Sequence, residues 1–233
     1  MRNSQRVVLA VIGGIAAVIL AMAIWVRFAA PSVPDLSGER TGQTYDFADF
    51  QGVEVGGQWQ VTIERGDVRR VAVDAPAELI ENIRVRTDGN SLHLEYEGPW
   101  WFADAGDEDA LNATITMPAL ESLDIAGAAM VRFTGFEGRM LSMDVSGAGD
   151  IRGAASRFDE LTLDVSGAVN VDLSDVPVTN AEVDISGVGN VTLRMAGGRL
   201  TGDLSGPTNL EYFGTVSEES LDVSGFSNVQ RRD

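Results

Sequence analysis

The sequence predicts an all-β chain: a right-handed parallel β-helix, or solenoid, of about 20-residue coils, preceded by an N-terminal transmembrane helix. Two observations carry this prediction. A phrase of the form apolar–Asp–aliphatic–Ser–Gly recurs six times, at spacings of 19 or 20 residues. An uncharged apolar run of 20 residues, 7–26, precedes these repeats. Self-similarity at a fixed period indicates stacked repeats, and an apolar run of that length can span a bilayer as a helix.

The repeats occupy residues 121–230 and follow one pattern. The recurring aspartates are Asp124, Asp144, Asp164, Asp184, Asp203 and Asp222. Three residues after each glycine, five of the six copies place a polar residue: Asp150, Asn170, Asn190, Asn209 and Asn228. The first copy departs, with Met130 at that position and Ala126 in place of Ser. The 19-residue spacings place one missing residue between Leu193 and Leu204, which predicts a loop there because loops tolerate changes in length.

Within one repeat, apolar and polar residues alternate. Leu161, Leu163 and Val165 alternate with polar neighbours, which is the period of a strand with one buried face. Gly167 then turns the chain, and we expect it to use the left-handed backbone angles that glycine tolerates. Two short strands joined by a glycine turn therefore form each coil. One coil cannot bury its own apolar face, so coils must stack about 4.8 Å apart, with Val145, Val165 and Ile185 in one interior file.

The same stacking predicts two outward rows of polar side chains. The six aspartates form one column, in which unit charges about 4.8 Å apart repel by about 0.9 kcal/mol in bulk water. Such a column requires solvation, hydrogen bonds to turn N–H groups, or cations. One interpretation is that the Asp and Ser side chains hold the turns, and the alternative is calcium binding along the column. The asparagines, Asn170, Asn190, Asn209 and Asn228, are expected to form a ladder of side-chain amides.

Composition excludes several classes of function. The chain carries 35 acidic and 17 basic residues, all of the latter Arg, and a formal charge of −18. Such a surface repels phosphate backbones, which excludes DNA and RNA as partners. The absence of Cys excludes disulfides, thiolate metal sites and Cys nucleophiles. The single His, His93, is expected on the wet face of a strand between Leu92 and Leu94. We predict no catalytic residue, no metal site and no cofactor.

The N-terminal region predicts export. Residues 1–6 form a cytoplasmic tail in which Arg2 and Arg6 favour a cytoplasmic N-terminus. Residues 7–26 form a transmembrane signal anchor or, alternatively, a signal peptide cleaved after Ala21-Met22-Ala23. Residues 27–43 form a linker, and residues 44–230 form the β-helix domain. We therefore expect a single-pass protein of a bacterial inner membrane, with its main domain on the periplasmic or extracellular side.

Several phrases, in order, resemble one known family. They are Phe50 to Asp67, Val71 to Ile83, Leu92-His93-Leu94, and Met117 to Leu123 as an entry into the repeats. Over about residues 45–230 the chain resembles the putative auto-transporter adhesin head "GIN" domain family, once described as a domain of unknown function. The resemblance implies a parallel β-helix in a bacterial envelope. It supplies no catalytic residues.

These observations leave three functional hypotheses. The first is a non-enzymatic, adhesin-like scaffold or binding module for an envelope protein or a glycan, because solenoids offer long surfaces. The second is a polysaccharide-active enzyme, although a fold alone does not establish an enzymatic function. The third is a membrane-tethered accessory in envelope signalling or stress response. Trp100, Trp101 and Phe102, next to a run of carboxylates, are candidate glycan or partner contacts, or a cover for an apolar flank of the coil.

Overall fold

The computed structural model describes residues 39–98 and 111–232. The predicted segments 1–6 and 7–26, residues 27–38 of the predicted linker, and the aromatic triplet Trp100-Trp101-Phe102 lie outside the described residues. The linker prediction is wrong at residues 40–43, which belong to a strand, Arg40–Asp46. In the two described ranges, no helix is long and apolar enough to cross a bilayer.

In residues 39–98 and 111–120, seven strands precede the repeats, with a short 3-10 turn at Ile80–Asn82. They are β1 (Arg40–Asp46), β2 (Gly52–Gly56), β3 (Gln58–Arg65), β4 (Arg70–Pro76), β5 (Ile83–Asp88), β6 (Ser91–Tyr96) and β7 (Leu111–Met117).

The repeats form the remaining strands. They are β8 (Ser122–Ile125), β9 (Ala128–Thr134), β10 (Glu137–Val145), β11 (Ala148–Ala154), β12 (Arg157–Val165), β13 (Ala168–Ile185), β14 (Val188–Ala196), β15 (Arg199–Leu204), β16 (Thr208–Thr215), β17 (Glu218–Val223) and β18 (Asn228–Arg232). Each repeat contributes two strand segments separated by a glycine turn, as the sequence predicts, and β13 runs on without a break from the third coil into the fourth.

Equivalent strands of successive coils pair in parallel, which produces two stacks. The aspartate stack contains β8, β10, β12, the end of β13, β15 and β17. The asparagine stack contains β9, β11, the start of β13, β14, β16 and β18. Val145 pairs with Val165 and Val165 with Ile185, so the predicted interior file is confirmed. These three side chains are at most 1% exposed.

The pairing register also locates the missing residue. Partner residues differ by 20 at Leu173 and Leu193, and by 19 at Ala181 and Leu200. Between these points a bulge in β13 pairs Pro177 with Arg194, so the net loss of one residue falls between Leu193 and Leu200, within the interval that the sequence predicts. Part of the change lies inside the paired strands β13 and β14, so the prediction of a simple loop is wrong.

The N-terminal strands extend both stacks in an order that differs from chain order. β2 lies between β6 and β8 in the aspartate stack, and β3 lies between β7 and β9 in the asparagine stack. Antiparallel strands cover this end: β5 pairs with β6, β4 with β7, and β1 with β4. At the other end, β17 and β18 are the outermost strands of the described solenoid, where Val223 is 46% and Phe226 is 92% exposed.

Candidate functional site

The aspartates of the repeats lie side by side on the outer face of the aspartate stack. Asp124, Asp144, Asp164 and Asp184 are successive register partners, and Asp203 pairs with Asp222. The backbone N–H of Asp203 donates to Asp184 Oδ1 at 2.9 Å, which joins the two runs. Glu54 of β2 pairs with Asp124 and adds a seventh carboxylate. We call this row, from Glu54 to Asp222, the carboxylate column.

Two rows of mostly hydroxyl-bearing residues, with Glu182 and Ala126 as exceptions, flank the column, because every second residue of a strand points to the same face. The residues two positions before the aspartates are Ser122, Ser142, Thr162, Glu182, Thr201 and Ser220. The residues two positions after them are Ala126, Ser146, Ser166, Ser186, Ser205 and Ser224. Neighbouring strands are about 4.8 Å apart, and alternate residues along a strand are about 6.6 Å apart. The face is therefore a regular grid of carboxylates between hydroxyl groups.

The turns beside this face are held by backbone and serine groups. The N–H of Ser166 and the N–H of Gly167 both donate to the carbonyl of Val145 in the preceding coil, at 3.0 and 3.2 Å. The hydroxyl of Ser186 is 3.4 Å from the carbonyl oxygen of Val165. The interpretation that serines contribute to the turns fits these contacts, and among the aspartates Asp184 accepts a backbone hydrogen bond from the N–H of Asp203.

The turn glycines have a different physical role from the one the sequence suggests. Of the six repeat glycines, all of which are described, only Gly225 has a positive φ, +87°. The expectation of left-handed angles at Gly167 is therefore wrong. A Cβ atom on Gly167 would lie 1.9 Å from the carbonyl oxygen of Gly147, and Gly147 meets Gly127 in the same way. Glycine is required because successive turns touch backbone to backbone.

His93 lies at the N-terminal end of the carboxylate column. It pairs in register with Glu54, and its Nδ1 lies 3.0 Å from Glu54 Oε2. Its side chain is on the outward face, as expected, but only 12% exposed, so the expectation of a wet position is wrong. Arg86 of β5 is its partner on the other side and covers this end of the row.

Burial and charge act together on the first aspartate of the column. Partial burial raises the pKa of Asp124, and the neighbouring charges of Asp144 and Glu54 raise it further, while His93 opposes them. The aspartates farther along, Asp144 and Asp164, are exposed and therefore solvated. Within residues 39–98 and 111–232, no group of three or more acidic or histidine side chains has an arrangement that could hold a metal ion.

The asparagines form a directional ladder on the outer face of the asparagine stack. Each side-chain amide donates to the residue of the preceding coil: Asn228 to Asn209 at 2.9 Å, Asn209 to Asn190 at 3.1 Å, Asn190 to Asn170 at 2.9 Å and Asn170 to Asp150 Oδ2 at 3.2 Å. All these donors point toward the N-terminal end. The ladder ends at Asp150 because an ionised carboxylate accepts hydrogen bonds but cannot donate one.

A shallow depression of about 320 Å³ lies where the ladder ends. Its walls come from β3, β9, β11 and the start of β13. The lining residues include Gln58, Gln60, Met130, Asp150, Ala128 and Ala148. Gln60, Met130 and Asp150 are register partners in successive strands. Met130 departs from the repeat at this position. It thus interrupts the ladder between two polar side chains.

Comparison with known proteins agrees with this architecture. A family model described as "putative auto-transporter adhesin, head GIN domain" matches residues 49–215. The chain belongs to this family. The resemblance drawn from the sequence phrases is confirmed, and the GIN domain includes both stacks from β2 to β16.

One solved structure with low sequence identity shares the fold of this GIN domain. A putative adhesin from Bacteroides fragilis is 15% identical with a TM-score of 0.63, and the match covers 84% of this chain and 99% of that chain. A putative adhesin from Parabacteroides merdae is 11% identical with a TM-score of 0.47, over 84% of this chain and 98% of that chain. Among curated proteins, no relative is detected at a significant level.

Proposed function

We propose that the chain is a non-enzymatic binding module of a bacterial cell envelope, which contacts an extended partner along the face of the carboxylate column. The single observation that carries the proposal is the register of seven carboxylates, Glu54 to Asp222, between rows of hydroxyl groups. A rigid, repeating surface suits a partner that is itself extended, and solenoids use such surfaces for contact.

The uniformity of the column favours binding over catalysis. A general acid and a general base need environments that separate their pKa values. Asp144 and Asp164 have the same strand position, the same serine neighbours two residues on, and similar exposure. Repetition of one environment suits many weak, equal contacts, and membership in a family described as adhesin heads supports the same function.

The charge of the face restricts the chemistry of the partner. Adjacent carboxylates repel one another, so a partner that brings ammonium, guanidinium or hydroxyl donors relieves this repulsion on binding. We propose that the partner is an envelope protein or a glycan with such donors. The apolar segment 7–26 would hold the domain at the outer side of a bacterial inner membrane as a single-pass anchor.

The test is crosslinking from intact cells that express the full chain. A triple variant, Asp144→Asn with Asp164→Asn and Asp184→Asn, removes charge from the middle of the column and keeps side-chain volume. The matched control, Glu137→Gln with Asp159→Asn and Glu218→Gln, removes the same charge at exposed positions off the column. We expect the column variant to lose its crosslinked partners and the control to keep them.

Two outcomes would contradict the proposal. Equal crosslinking by both triple variants would show that the column is not the contact surface. Release of soluble fragments from envelope polysaccharide by the purified chain would show an enzyme instead of a binding module.

A further inference from the structure

The depression lies beside Met130, which departs from the repeat, and beside Ala128 and Ala148, which share a file with Ala168. In the later coils, the position of Met130 holds an asparagine whose side-chain amide donates to the residue of the preceding coil. On the same outward face, Ala128 and Ala148 occupy the file in which the fourth coil has Val188. Small side chains at these two positions and a thioether in place of an amide leave the space open.

The buried side-chain polar atoms at the depression, Gln58 Oε1 and Asp150 Oδ1, are acceptors. Among the described residues, Gln58 Oε1 is buried and receives no hydrogen bond. Asp150 Oδ2 accepts from Asn170, while Asp150 Oδ1 is buried and lies 3.1 Å from Arg152 Nε. On its other side Asp150 faces Met130, which has no N–H or O–H to offer. A ligand here must therefore bring hydrogen-bond donors.

The floor of the depression restricts the ligand further. Ala128, Ala148 and the side chain of Met130 present methyl and thioether groups. A hydrated metal ion gains nothing from such a floor, and an anion brings no hydrogen-bond donor for Gln58 Oε1. A sugar ring has hydroxyl donors at its edge and an apolar C–H face. The volume of about 320 Å³ is at the small end of ligand sites, which suits one or two sugar units.

We propose that this depression is a carbohydrate subsite, in which sugar hydroxyls donate to Gln58 Oε1 and the Asp150 carboxylate while the ring lies over Ala128, Ala148 and Met130. The inference rests on the proposed binding function and names a ligand class for a second face of the same module. Gln60 lies on the far side of Met130 from Asp150, where its amide can meet a further hydroxyl group.

The test uses saturation-transfer-difference NMR on the full chain in detergent micelles. The probes are glucose, galactose, mannose, N-acetylglucosamine, cellobiose and sialyllactose, each at millimolar concentration. We expect saturation transfer to at least one probe. Transfer to N-acetylglucosamine alone favours a bacterial wall glycan, and transfer to galactose or sialyllactose favours a host glycan, while either supports a carbohydrate subsite.

The decisive variant is Met130→Asn, which places an amide in the missing step of the ladder. The new amide can donate to Asp150, which the ligand would otherwise do, and it replaces the apolar thioether under the sugar ring, so we expect affinity to fall roughly tenfold or more with no loss of melting temperature. Gln58→Leu, which removes the buried acceptor at similar volume, should give a similar fall. Val188→Ala changes the same outward file outside the depression and should bind like the wild type.

Transfer to none of the probes would overturn the subsite, as would unchanged binding by both Met130→Asn and Gln58→Leu. The column triple variant separates this result from failure of the proposed function. If no sugar binds while crosslinking still depends on Asp144, Asp164 and Asp184, the carbohydrate subsite is wrong and the proposed binding function is supported. If sugars bind while crosslinking ignores those aspartates, the carboxylate face is wrong and the subsite stands.

Discussion

At the scale of single residues, the turn glycines set how closely coils approach. Gly147, Gly167 and Gly187 each lie over the preceding glycine, with room for a hydrogen atom and for nothing larger. An added methyl group must push two backbones apart, and both hold short N–H to carbonyl contacts through these turns. The cost is steric and comes from the neighbouring coil instead of from the glycine's own backbone angles.

We predict that Gly167→Ala lowers the free energy of unfolding by about 1–3 kcal/mol, as overpacking of a tight contact does. The matched control is Gly56→Ala, where the new Cβ would meet its nearest atom, Cγ of Glu95, at 3.8 Å. Urea denaturation of the purified variants measures both. Equal stability of Gly167→Ala and wild type would contradict the close approach of the turns.

Asp124 gives a prediction for pH dependence. Because its pKa is raised, the folded chain holds this proton more tightly than the unfolded chain. The stabilisation from the protonated carboxyl is complete at low pH and is lost as the pH rises through the raised pKa. Asp124→Asn, which keeps a neutral side chain, should therefore melt at a higher temperature than wild type at pH 7 and at a similar temperature at pH 3.

Asp172 provides a control for Asp124, because its pKa is shifted in the opposite direction. Hydrogen bonds from the Ser174 hydroxyl and backbone N–H lower the pKa of Asp172, so its ionised form stabilises the fold above the unfolded pKa. Asp172→Asn should therefore melt at a lower temperature than wild type at pH 7.

A fall in melting temperature for Asp124→Asn at pH 7 would contradict the prediction for Asp124, because it would show that the charge of Asp124 stabilises the fold.

At the scale of elements, the asparagine ladder links coils through side chains as well as through backbone. Asn190 donates to Asn170 and accepts from Asn209, whereas Asn228 has one ladder bond, to Asn209. The contribution of a position should therefore follow its number of ladder bonds. Chains of hydrogen bonds also polarise one another, which makes the contributions non-additive.

We predict that Asn190→Ala lowers the free energy of unfolding by about 1–2 kcal/mol and Asn228→Ala by about half as much. Thermal and urea unfolding of both variants, together with the double variant Asn190→Ala and Asn209→Ala, measure the coupling. If Asn190→Ala and Asn228→Ala cost the same, the ladder does not act through its paired bonds.

The repeats are the part of these elements that the sequence predicts well. Period-two alternation places Leu163 inside and Asp164 outside, and the 20-residue spacing fixes their partners, so the strands and both outward rows follow from local rules. Val53-Glu54-Val55 has the same alternation, followed by Gly56-Gly57, and this phrase was the available signal for the seventh carboxylate.

The N-terminal coils could not be predicted in the same way. β2 is inserted between β6 and β8, which come later in the chain, and only tertiary packing decides that order. For the same reason the cover over His93 and the meeting of Gln58 with Asp150 at one depression have no local signature. The sequence shows that Met130 departs from the repeat, but it does not show which residues lie beside Met130.

At the scale of the whole molecule, the described ends of the solenoid differ. Antiparallel strands β5, β4 and β1 cover the N-terminal end, whereas β17 and β18 each have a single neighbour in the described stacks. Val191 and Val229 are in the same file, but Val191 is fully buried and Val229 is only half-buried. The last coil should therefore open most easily.

We predict that amide hydrogens of β18 exchange at least about 100-fold faster than those of β14, because local opening of an outer coil costs less than opening between two neighbours. Hydrogen–deuterium exchange followed by mass spectrometry, comparing peptides around Val191 and Val229, measures the ratio. Equal protection in the two peptides would mean that the coils open together as one unit.

Partner residues of β10, β12 and the end of β13 are offset by 20 residues, which determines how the solenoid can be lengthened. Residues 145–164 form one complete lap, so a tandem copy of them re-enters the same register and leaves every other lap unchanged. Such a copy raises the height of the head by a single strand spacing, about 4.8 Å, and supplies one more carboxylate and one more ladder position. The length of this surface is therefore set in whole-number steps, and a linear partner can be matched to it step by step.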